Sequence, residues 1–91
     1  MGKIEEDASF VVRSRHRVRV LNVLSERNAI PAGIKNETGQ EYSRITEALS
    51  SLEERGLVRL LVDEDTKRGR LYGVTDRGED VYEYLRENGM M

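Results

Sequence analysis

In the segment TGQEYSRITEALSSLEERGLV, residues 38–58, five polar side chains stand close enough to work together: Tyr42, Ser43, Arg44, Thr46 and Glu47. On a helix, Ile45, Ala48, Leu49 and Leu52 fall in one stripe about 100° wide. The opposite face then carries Ser43, Thr46, Glu47, Ser50 and Glu54, with Tyr42 and Arg44 on its flanks. Short hydroxyls near the start of such a helix let its backbone approach base edges and phosphates and bond there. Arg44 has the forked donors for a bidentate contact to guanine, and Tyr42 suits a phosphate or a sugar. Glu47 accepts from cytosine but repels phosphate. On pattern alone, an ordinary solvated helix face accounts for these residues equally well.

The stretch RSRHRVR, residues 13–19, is the most basic in the chain. Helical geometry sets Arg13 and Arg17 on one side and Arg15 and Arg19 on another, so it does not form one groove-filling patch. Salt bridges to the acidic ends are its expected use, with His16 a plain surface or interface residue. There is no cysteine and only one histidine. Those counts exclude a disulfide frame, a thiol sensor and a Cys-ligated zinc, and no metal or other cofactor is expected. An enzyme is not expected either: no histidine is partnered for base catalysis, and Gly33, Gly39, Gly56 and Gly69 are spread over caps and turns rather than gathered in a phosphate loop.

The chain of 91 residues has room for one core. Hydrophobic residues make up 37% and charged ones 35%, polar for a globular domain yet above the composition of a disordered chain. The start, MGKIEEDASF, is acidic where a signal peptide is basic, and no apolar run nears the roughly 18 residues of a membrane span. A cytoplasmic protein is expected. Its net charge of -2 divides unevenly. Residues 1–9 and 76–91 hold eight acids and three bases, leaving nine acids and twelve bases, net +3, on residues 10–75.

Several elements must hold the polar face in place. Phe10, Val11, Val18, Leu21 and Leu24 share one helix face, and Val12, Val20 and Val23 a second, so this region packs on two sides; Ser14 can cap a fresh start within it. Pro31 suits the first position of a short helix that ends at Gly39. The helix with the polar face follows, roughly 41–55, and stops at Gly56. LVRLLVDEDTKRGRLYGVTD then gives two β-rich runs around a polar tip, a projecting hairpin. Thr75 caps a last helix running to Gly89, with Asp76 at its positive end.

The order is helix, helix, tight turn, helix, hairpin, helix. Together with ALSSLEERGLV, RGRLY and TDRGEDV it resembles the winged helix-turn-helix domain of small ArsR- and MarR-like transcription regulators, particularly short archaeal ones. The resemblance covers about residues 10–88. It implies an α+β, mostly helical fold with a three-helix core, a two-stranded β wing and a C-terminal helix. Residues 1–9 are then an acidic N-terminal tail and 10–91 a single domain, with the helix-turn-helix about 31–56, the wing about 58–75 and the last helix about 76–88.

The resemblance also implies a regulator that binds double-stranded DNA, its third helix in the major groove and its wing on the flanking backbone or minor groove. A winged-helix protein-interaction module in nucleic-acid machinery is the alternative. Lys67, Arg68 and Arg70 at the wing tip are placed to reach DNA, although Asp63, Glu64 and Asp65 oppose this and a solvated, self-paired hairpin is the other reading. Three positions depart from the family pattern. Gln40 replaces an apolar residue and gains a possible phosphate contact. Lys35 replaces a small residue and can lay its stem along the surface with its ammonium towards phosphate. Glu41 is a poorer cap than Ser or Asp. A homodimer is expected through Phe10, Val11, Val12, Val81, Tyr82, Tyr84 and Leu85, which offer more apolar surface than one small core uses. An effector ligand and the operator are not written in the chain.

Overall fold

A computed structural model describes residues 3–91. The elements are α1 (Lys3–Val12), α2 (Arg15–Glu26), α3 (Pro31–Thr38), α4 (Tyr42–Glu54), β1 (Val58–Leu60), β2 (Tyr72–Val74) and α5 (Asp76–Glu87). The three-helix core expected from the sequence is α2, α3 and α4, the wing is β1 and β2, and α5 closes the chain. α2 packs against all four other helices and β2, which is why its valines and leucines at 20, 21, 23 and 24 are all buried. Ser14 caps it, accepting from the Arg17 N–H. The break before α2 therefore falls where a side-chain acceptor can satisfy an otherwise orphaned donor.

The acidic tail is not a tail. Residues 1 and 2 lie outside the described residues, but Lys3–Val12 form α1, packed on α2 and α5. Ile4, Ala8 and Val11 follow a helical period, and Ala8 and Val11 are buried. Asp7 is buried with them and is bonded by two arginines, Arg55 at 3.1 Å and Arg77 at 2.8 Å. This pair of bonds fastens α1 to the end of α4 and the start of α5. Phe10 is held between Arg17 and Arg55, whose guanidinium carbons lie 3.9 Å and 4.3 Å from its ring centroid. The arginines that meet the acidic end are thus Arg55 and Arg77, not the 13–19 cluster to which those bridges were assigned from the sequence.

The docking of α1 also changes the expected dimer surface. Val11, Val81 and Leu85 are fully buried within one chain, so they are not available to a second copy. Phe10, Tyr82 and Tyr84 are half-buried against the same core, and Val12 remains exposed.

The short wing strands are antiparallel, with Val58 opposite Val74, Arg59 opposite Gly73 and Leu60 opposite Tyr72. A single bridge adds Ala29 to the outer edge of β2 through bonds of 3.0 and 2.9 Å with Tyr72. Gly56 takes a φ of 77°, so α4 ends and the chain turns into the wing. Thr75 joins the two ends of the hairpin: its hydroxyl donates to the Gly56 carbonyl at 2.6 Å and accepts from the Gly78 N–H at 3.0 Å. No helix among the described residues is long and apolar enough to cross a membrane.

Candidate nucleic-acid interface

The turn that aims α4 is built from few atoms. Thr38 donates its hydroxyl to the Ile34 carbonyl at 2.8 Å, and Gly39 follows with a φ of 76°, a conformation that strains a residue with a Cβ. Glu41 occupies the cap position of α4 without a side-chain bond to the helix, as expected of a weak cap. The buried stripe Ile45, Ala48, Leu49 and Leu52 faces the core, which turns Tyr42, Ser43, Arg44, Thr46, Glu47 and Ser50 to solvent. The polar face read from the sequence is therefore a real surface. Arg44 and Glu47 stand 3.7 Å apart, both exposed, and the Thr46 hydroxyl donates to the Ser43 carbonyl at 3.0 Å. An exposed pair of that length contributes little and yields readily to a stronger partner.

The wing returns to this helix. Lys67, Arg68 and Gly69 line a shallow groove of about 210 Å³ together with Tyr42 and with Ile30 and Pro31 at the start of α3. Lys67 and Arg68 are exposed, and so is Tyr42, at 53%. Two exposed cations and a phenol thus border one cleft beside the start of the exposed helix, a combination suited to a strand of sugar and phosphate. Lys35 is exposed in the last turn of α3.

Two of the expected contact residues make bonds within the chain. Arg70 lines the same groove and also folds back on the wing, its Nη1 donating to the Glu64 carbonyl at 3.0 Å and the Thr66 carbonyl at 2.8 Å. It braces the tip that carries Lys67 and Arg68. Gln40 is buried, 4% exposed, and cannot meet a phosphate directly. Its Nε2 donates to the His16 carbonyl at 3.3 Å and lies 3.0 Å from His16 Nδ1, while its Oε1 is buried without a hydrogen-bond partner. A polar residue in an apolar position is thus bonded to α2 at one end of its amide only.

What the sequence reading passed over is the other end of that bond. His16 and Arg17 line a second groove, of about 260 Å³, with Arg44 and Glu47 from α4. The basic run at 13–19 was the available signal, but its splitting by helical geometry hid that half of it meets α4. Among the described residues no group of three or more His, Cys, Asp or Glu side chains is placed to hold a metal ion.

Comparison with known proteins covers most of the chain. The family model described as the HVO_A0261 N-terminal domain matches residues 5–88. None of the curated proteins matches. Among solved structures, a double mutant of ZitR from Lactococcus lactis is similar with a TM-score of 0.74 and 20% identity, over 84% of this chain and 52% of that one. The same mutant in apo form gives 0.74 and 20% over 97% and 65%. NMB1585, a MarR family regulator from Neisseria meningitidis, gives 0.71 and 21% over 81% and 53%. The chain spans between 52% and 65% of the length of these solved chains. The likeness shows the winged helix-turn-helix fold in its MarR-like form.

Proposed function

The chain belongs to the HVO_A0261 N-terminal domain family, and from that footing we propose that it is a DNA-binding transcription regulator, with α4 in the major groove and the wing on the flanking backbone or minor groove. One observation carries this reading: Tyr42 at the start of α4 and Lys67 and Arg68 of the wing border a single groove, beside an exposed helix face of hydroxyls and Arg44. The net acidity of the chain does not oppose it. The negative excess sits at residues 1–9 and 76–91, while residues 10–75 carry +3. Affinity for a duplex follows the phosphates neutralised locally, so the protein binds with modest strength and steep dependence on salt.

Two copies on a palindromic site would set their α4 helices in successive major grooves about 34–36 Å apart. Support for a dimer comes from where apolar surface remains. Of the six large hydrophobics exposed among the described residues, Ile4, Val12, Met90 and Met91 belong to α1 or follow α5.

The test is a fluorescence titration on random duplex and on a site recovered by selection, each at several salt concentrations. Binding with a steep negative salt slope and a preference for the selected site is expected. Absence of binding to any duplex by the folded protein overturns the reading in favour of a protein-interaction module.

A further inference from the structure

We propose that the groove between the first turn of α2 and the exposed flank of α4 is a second contact for a DNA backbone phosphate, with His16, Arg17 and Arg44 as donors and buried Gln40 as the positioning residue. This rests on the DNA-reading function above, and it exchanges the roles that residue type alone gives to Gln40 and His16.

The groove shares no lining residue with the one beneath the wing. Its donors are arranged by bonds that leave them free at the tip. Arg17 is fixed by its Nε, which donates to the Phe10 carbonyl at 3.0 Å, and by stacking on the Phe10 ring. Its two Nη atoms remain as donors, the geometry in which a guanidinium receives a phosphate. Partial burial, then the like charges of Arg13 and Arg55, press the Arg17 guanidinium below its ordinary value. An anion beside it offsets the like charges. Among the described residues Arg44 is held by its long, exposed pairing with Glu47, which a phosphate can displace.

The position of His16 comes from the turn. Gln40 presents one amide nitrogen to Nδ1 and to the backbone carbonyl of the same residue, which fixes the orientation of the ring. The segment that sets the angle of α4 therefore also sets the ring beside it. The groove opens on Arg44 and Glu47, which belong to the reading face, so a duplex lying on that face carries its backbone across the groove. That continuity favours a phosphodiester over a free anion. Ser14 and Ser51 complete the polar lining.

The experiment replaces each phosphate of the selected site in turn by a neutral methylphosphonate and measures affinity for the wild-type chain, His16→Ala and Gln40→Leu, with folding checked by thermal melting. One position per half-site is expected to weaken wild-type binding by about 3- to 10-fold and to weaken both variants by a clearly smaller factor, since they have already lost the histidine's hydrogen bond while Arg17 and Arg44 still face that phosphate. Arg17→Gln should lower the slope of log K against log salt by about 0.9 per phosphate lost. Because the chain has a single histidine, its ring signals in the magnetic resonance spectrum report the site directly. They should move on addition of the duplex and stay in place with inorganic phosphate at the same concentration. Equal losses in all three proteins at every position overturn the proposal, as does a full response to inorganic phosphate, which would make the groove a free-anion site. A wild-type chain that binds no duplex defeats the parent reading instead.

Discussion

Among the described glycines, Gly78 has the least room for a side chain. A Cβ built there would lie 2.0 Å from the Leu57 carbonyl oxygen and 2.6 Å from Val74 Cγ2. The first of these is backbone and cannot swing aside, so Gly78→Ala should cost about 3 kcal/mol by forcing α5 off the wing. Urea unfolding measures this, and an unchanged midpoint would mean that α5 shifts freely. On the surface the expectations concern DNA instead. Arg44→Ala should cost about 1–3 kcal/mol on a preferred site and relax the preference at one position per half-site, read from binding to singly substituted sites. The exposed set Tyr42, Ser43, Arg44, Thr46 and Glu47 was legible from sequence because a regular apolar stripe fixes what lies opposite. Gln40 and Arg70 were not, since their partners are backbone carbonyls and a ring nitrogen, and no spacing rule reveals an acceptor 24 residues away. Val11, Val81 and Leu85 misled in the same way. Each reads as surplus apolar area until α1 and α5 are seen to cover one another.

Elements were clearer than contacts. Ser14, Pro31, Gly39, Gly56 and Thr75 all stand at the ends where cap and turn chemistry put them, so every element from α2 to α5 was foreshadowed. α1 was missed because Glu5, Glu6 and Asp7 look solvated, whereas Asp7 is balanced by arginines 48 and 70 residues further on. The relation between wing and α4 gives an expectation that neither element gives alone. Arg44 and Arg68 line different grooves, so the double Ala variant should be close to additive. Tyr42 and Arg68 share a groove, and Tyr42→Phe with Arg68→Ala should deviate from additivity by about 0.5 kcal/mol or more. Arg68→Ala alone should weaken every sequence by a similar factor and reduce the salt slope by about 0.9 for each phosphate lost. Four titrations on one duplex decide it; strict additivity of the Tyr42 pair would separate the wing from the helix it borders.

At the scale of the molecule, the remaining apolar exposure on α1 and after α5 governs assembly. Sedimentation at tens of micromolar should return twice the mass of one chain. Val12→Asp, at an exposed position, should return a single-chain mass while the melting of the isolated fold is kept, since a charge placed in an apolar contact is costly only where a partner covers it. A wild-type mass of one chain would sink the dimer.

The buried carboxylate of Asp7 also has something to say about time. It closes spans of 48 and 70 residues, and α1 is made before either of the segments it binds. Closing such spans adds little to the equilibrium cost, about 0.6 kcal/mol for each doubling of length, but contacts this distant in sequence form late on the route to the native state. Losing hydrogen bonds to a charged group costs about 1.5–3 kcal/mol each, enough to resolve where on that route they arise. Asp7→Asn should therefore hasten unfolding and leave refolding nearly as fast as before, in stopped-flow denaturant jumps. Refolding slowed in proportion to the stability lost would instead put α1 in the nucleus. α1, made earlier than both of its partners, is then the segment that waits until α5 has followed it.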